Sequence, residues 1–85
     1  MREEYMEQVM YSLKKLEAQL EEIEGAAHRL YLTSEEATEA RGFSEEEKRM
    51  MCELNELARS IRKNIENKNE ELQYYRRKLH NILMM

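Results

Sequence analysis

Eighty-five residues, 38% of them charged and 41% apolar, suffice for one domain and are too polar for a thick single core. Proline and aspartate are absent, all eighteen acids are glutamate, and glycine occurs only at 25 and 42. Glutamate competes less than aspartate for backbone hydrogen bonds, so this composition points to long helices. The lone cysteine, Cys52, excludes an intrachain disulfide framework and fits a reducing cytosol.

The first helix is expected over residues 2 to 32. Its stripe reads Met6, Val9, Leu13, Leu16, Leu20, Ile23, Ala27 and Leu30. Alternating steps of three and four are the heptad signature of a helix facing a partner helix. Gly25 falls on the wet side of this pattern and costs ~1 kcal/mol relative to alanine, too little to end the helix. The start of the chain has no apolar stretch of the kind a secretory signal needs, and no apolar run nears the ~18 residues of a membrane span. A cytoplasmic protein is the expectation.

Thr33-Ser34-Glu35-Glu36 spells a capping box. It predicts a short connecting helix over 34 to 41, closed by Gly42 in a left-handed conformation. Phe43-Ser44-Glu45-Glu46-Glu47 is a second, stronger start signal, with Ser44 as cap, Glu47 completing the box and Phe43 stapling onto the first turns.

From Ser44 the helix should run to about residue 83, some 60 Å at 1.5 Å per residue. Its stripe is Met51, Leu54, Ala58, Ile61, Ile65, Leu72, Tyr75, Leu79 and Ile82. The fold class that follows is all-α: an antiparallel two-helix hairpin with a short connecting helix. The expected register sets Ala27 on Leu54, Ile23 on Ala58, Leu20 on Ile61 and Leu16 on Ile65, alternating small and large side chains. Leu13 then meets Lys68, whose stem can lie along the seam and reach Glu17. In that register the second helix outruns the first, and Leu79, Ile82, Leu83, Met84 and Met85 lack an intrachain partner. Met10, Tyr31, Met50, Leu57 and Tyr74 also stay wet. A chain with so little core commonly oligomerises, most simply as a two-fold four-helix bundle. Met6, Met10, Tyr75, Leu79, Ile82 and Leu83 are the candidate oligomer interface.

Charge is uneven. Residues 1–24 and 25–47 each carry a net −4, and residues 48–85 carry +4. The halves can neutralise each other when folded back, or the basic half can serve as an anion-binding surface. The densest cluster is Tyr74, Arg76, Arg77, Lys78 and His80, where aromatic rings among cations could hold a base or a phosphate. A bare basic cluster in an acidic chain is poor ground for duplex DNA binding. His28 and His80 lack the partners of a ligand pair, and no Glu-x-x-His motif of a bundle di-metal site occurs. Paired glutamates lie on wet faces or at caps, and no phosphate loop or nucleophile–histidine spacing is present. No catalytic or metal site and no cofactor is expected.

Residues 13–72 resemble the helical scaffolding segment, the delta domain, at the N-terminus of tailed-phage major capsid proteins. Arg41-Gly42-Phe43-Ser44-Glu45-Glu46-Glu47 followed by Met51, Leu54, Ile61 and Ile65 carries the likeness. The resemblance implies a helical, scaffold-like or inhibitory phage accessory protein that works by protein–protein contact. Two functions fit these features: a self-associating module that engages a protein partner, and an oligomer similar to small helical phage proteins that sequester an anionic nucleotide-type ligand between subunits.

Overall fold

The computed structural model describes residues 1–85 as two long helices packed side by side, with no strand. Helix α1 spans Arg2–Glu39 and α2 spans Glu45–Leu83. Together they form a rod of 61 × 16 × 14 Å. The expected hairpin is present, and Gly25 lies within α1.

The connecting helix is not a separate element. Helix α1 continues through Thr33 and Ser34 to Glu39. Ser34 is 1% exposed, its hydroxyl donates to the Tyr31 carbonyl at 3.0 Å, and it accepts from Asn55 Nδ2 at 3.3 Å. A cap would have to aim that hydroxyl at amides three residues on. A partner on α2 overrides the local start signal, a routine outcome when tertiary contacts compete with propensity.

Residues 40–44 make the turn. Ala40 leaves the helix with extended backbone, and Gly42 has φ +94°, the left-handed value expected of it. Ser44 then caps α2: its hydroxyl accepts from the Glu47 amide at 3.1 Å, and Glu47 Oε1 accepts from the Ser44 amide at 3.0 Å. These hydrogen bonds from Ser44, the backbone one foremost, hold the Glu47 carboxyl below its ordinary pKa.

Moving the turn changes the register. Asn55 Nδ2 donates to the Tyr31 carbonyl at 3.0 Å, and Arg76 Nε donates to Glu17 at 3.2 Å. Ala27 therefore does not sit on Leu54 as expected. Lys68 does not reach Glu17 either: it pairs with Glu71 on its own helix at 3.1 Å, and Arg76 takes the glutamate. With 38 and 39 residues the helices are matched in length, so the expected overhang of α2 is absent. Met6, Met10 and Leu79 are half-buried within the hairpin.

Along α1 the positions withdrawn from water include Met6, Met10, Leu13, Glu17, Leu20, Glu24, Ala27, Tyr31, Ser34 and Thr38. Along α2 they include Met51, Asn55, Ala58, Arg62, Ile65, Asn69, Leu72, Arg76 and Leu79. Both sets alternate steps of three and four. Each helix gives the seam one mainly apolar column and one mainly polar column. The two polar columns share a side, because Glu17 bonds Arg76 and the Tyr31 carbonyl bonds Asn55. The apolar columns, containing the buried Ala27, Ala58 and Ile65, share the other.

Candidate functional site: an apolar face and a cationic cleft

The seam uses only half of the α1 stripe. Val9, Leu16, Ile23 and Leu30 repeat every seven residues and remain 47%, 43%, 51% and 37% exposed. They lie one heptad column beyond Met6, Leu13, Leu20 and Ala27, on the side away from the polar column. On α2, the half-buried Leu54 and Ile61 and the exposed Tyr75 and Ile82 lie one column beyond Met51, Ala58, Leu72 and Leu79, again away from the polar column. Met50 and Leu57 continue outward, 55% and 53% exposed. Since the apolar columns share a side, both free stripes open onto one flat face of the hairpin. Near its end Tyr5, Val9, Leu13 and Leu16 line a shallow depression with Gln8 and Ser12.

The opposite face is polar. Arg76 and Glu17 form its one ion pair between the helices, at 3.0 Å. Arg62 Nε and Asn69 Oδ1 are shielded from water without a hydrogen-bond partner. Tyr31, Arg59, Ser60, Arg62, Lys63 and Glu66 line an open cleft here. Towards the chain ends, a second cleft of about 340 Å³ is lined by Met10, Lys14, Arg76, Arg77, His80 and Asn81.

The cluster from Tyr74 to His80 therefore divides. Arg76, Arg77 and His80 converge on the second cleft, joined by Lys14 from α1. Tyr74 and Lys78 form a separate pair, with the ammonium 5.4 Å from the ring centroid and Tyr75 edge-on to Tyr74 at 5.2 Å. Of the candidate interface residues, Tyr75, Ile82 and Leu83 are exposed, whereas Met6, Met10 and Leu79 are engaged within the chain. In the register expected from the heptad stripe, Val9, Leu16, Ile23 and Leu30 belong to the hairpin seam, whereas here they face outward. The signal that could have freed them is the second three-four series through Met10, Glu17, Glu24, Tyr31 and Thr38, masked because two of its members are glutamates.

His28 and His80 are exposed, His28 stacked at 6.4 Å on Tyr31, and Cys52 is exposed. No group of three or more histidine, cysteine or acidic side chains is placed to hold a metal ion. No helix is long and apolar enough to cross a membrane. Fold and surface together define a class: a two-helix hairpin with one apolar and one charged face. No protein-family model matches the chain, and no curated protein or solved structure is significantly similar to it.

Proposed function

We propose that the chain is a non-enzymatic helical assembly module that associates with itself into a helical bundle through its apolar face. The observation that carries this reading is the unpartnered stripe Val9, Leu16, Ile23 and Leu30, continuous with the exposed apolar residues of α2. Exposed area supports it. The chain leaves 7093 Å² accessible, against roughly 5,400 Å² for a compact monomer of 10.3 kDa. The excess is larger than the ~800 Å² per partner of a standard interface. Only four residues are buried, too few to hold a lone hairpin securely. The likeness to phage scaffolding segments accords with assembly by helix pairing, and a scaffold-like or inhibitory role among phage proteins is the setting it suggests.

Light scattering across 1–100 µM tests this reading. The wild type should be an oligomer, and Leu16→Glu with Ile23→Glu should be monomeric and less helical. A wild type that stays monomeric throughout overturns it.

The cleft of Lys14, Arg77 and His80 favours a second reading, an oligomer holding an anionic nucleotide-type ligand. Arg76 there is neutralised by Glu17, and Lys14 supplies a further cation. Excess absorbance at 260 nm in purified protein, lost on Lys14→Ala with Arg77→Ala, is the corresponding readout.

A further inference from the structure

Resting on the self-association reading, we infer that the partner of the apolar face is a second copy in one particular arrangement. The two hairpins are related by a two-fold axis perpendicular to the helices. Helix α1 crosses its own copy antiparallel, and α2 does the same.

The free face of α1 is self-complementary. Its large column, Val9, Leu16, Ile23 and Leu30, runs beside a column of smaller or polar residues, Ser12, Gln19 and Ala26. Antiparallel helices bring one column of each against the other column of its mate, so large meets small, as packed layers require. Charge selects the register. The outer flank carries Lys15, Glu22 and Arg29, all exposed. An axis between Leu16 and Gln19 sets Lys15 against Glu22 of the second copy, twice by symmetry. A shift of the axis by half a heptad towards Ile23 would set Lys15 against Arg29 and Glu22 against itself, which like-charge repulsion disfavours. At nearly the same height the axis passes α2 between Lys68 and Glu71. These are charged residues on the free face of α2, bonded within one chain at 3.1 Å and more than half exposed. There they can exchange partners between copies.

The alternative two-fold, parallel to the helices, lays α1 on α2 of the second copy. It sets Lys68, Asn64 and Glu71 opposite Ile23 and Leu16, stranding charge in the centre of an apolar seam. The perpendicular axis instead sets Lys68 against Glu71 and Lys15 against Glu22, so the charged residues nearest the axis meet opposite charge.

Double electron–electron resonance on the full chain decides between them. With Cys52→Ser and a spin label at Glu39→Cys, outside the proposed contact, the perpendicular axis separates the labels by about 60 Å, twenty-odd residues either side of the axis at 1.5 Å each. The parallel axis puts equal residues at equal heights, within about 30 Å across a bundle. Charge reversal is the second arm. Lys15→Glu alone should weaken association about tenfold, and Lys15→Glu with Glu22→Lys should restore it. An oligomer with the short distance, or with no rescue, overturns this arrangement and leaves the self-association reading standing. Absence of any oligomer overturns both.

Discussion

Asn55 is the polar latch of the hairpin, and its removal measures what holds the register. Its Nδ2 donates to the Tyr31 carbonyl at 3.0 Å and to Ser34 Oγ at 3.3 Å. With Asn55→Ala both acceptors lose a donor, yet the Ser34 hydroxyl still donates to Tyr31, so no buried donor is stranded. The cost is then the net worth of two hydrogen bonds, about 1–2 kcal/mol, without the larger penalty of an orphaned group. For a chain of this size that lowers Tm by roughly 4–8 °C per kcal/mol. Ser34→Ala leaves Asn55 its bond to Tyr31 but removes the hydroxyl's bonds to Tyr31 and from Asn55, again two hydrogen bonds, and should cost about as much. The pair should couple by about 0.5–1 kcal/mol in a double-mutant cycle. The assay is circular dichroism at 222 nm with heat and urea, at one fixed protein concentration so that the proposed self-association contributes equally to every variant. If the two substitutions add without coupling, or Asn55→Ala melts with the wild type, the latch does not set the register and the reasoning fails.

Ile65→Ala removes the largest buried apolar side chain and should cost about 2–3 kcal/mol, read as a lower urea midpoint. Gly42→Ala forces a side chain onto φ +94° and should destabilise by about 1 kcal/mol in the same titration. Gly25→Ala should instead stabilise by up to ~1 kcal/mol, because the helix is continuous there and the nearest atom to the added Cβ is the mobile Arg29 guanidinium, 3.6 Å away. Glu47 should titrate below its reference value of 4.5 by NMR. Its folded pKa is depressed, so the cap's contribution is present above the unfolded value and is lost as pH falls through the folded one. Glu47→Gln should flatten that acid limb.

The all-helical class, the Gly42 turn and the Ser44–Glu47 cap were legible because each depends on residues adjacent in the chain. The capping box at Thr33, the weaker of the two start signals, is unused, since Ser34 finds Asn55 twenty-one positions away. Register was not legible for the same reason. Because α1 runs through the Thr33 box to Glu39, the connector is shorter than that box implies, and every pairing across the seam shifts with it. Tyr74 to His80 read as one patch in sequence, but a helix turns about 100° per residue. Arg76, Arg77 and His80 therefore turn to one cleft, while Lys78 lies over Tyr74 outside it. Lys14 joins that cleft only through the antiparallel fold.

The apolar stripe of α1 follows the same geometry at larger scale. A helix that pairs with one neighbour needs two heptad columns, and one that packs in a bundle needs three. The α1 columns through Met6, Val9 and Met10 together make three, and the middle one, Met6, Leu13, Leu20 and Ala27, serves either neighbour. Read alone, the two most apolar columns look like the intrachain seam. Inside the hairpin, however, Glu17 must reach Arg76, and Asn55 must reach the Tyr31 backbone. Satisfying those polar groups rotates α1 by about one column and turns Val9, Leu16, Ile23 and Leu30 outward. Polar residues in the seam thus specify which face the hairpin closes on, and they leave one apolar column of α1 exposed.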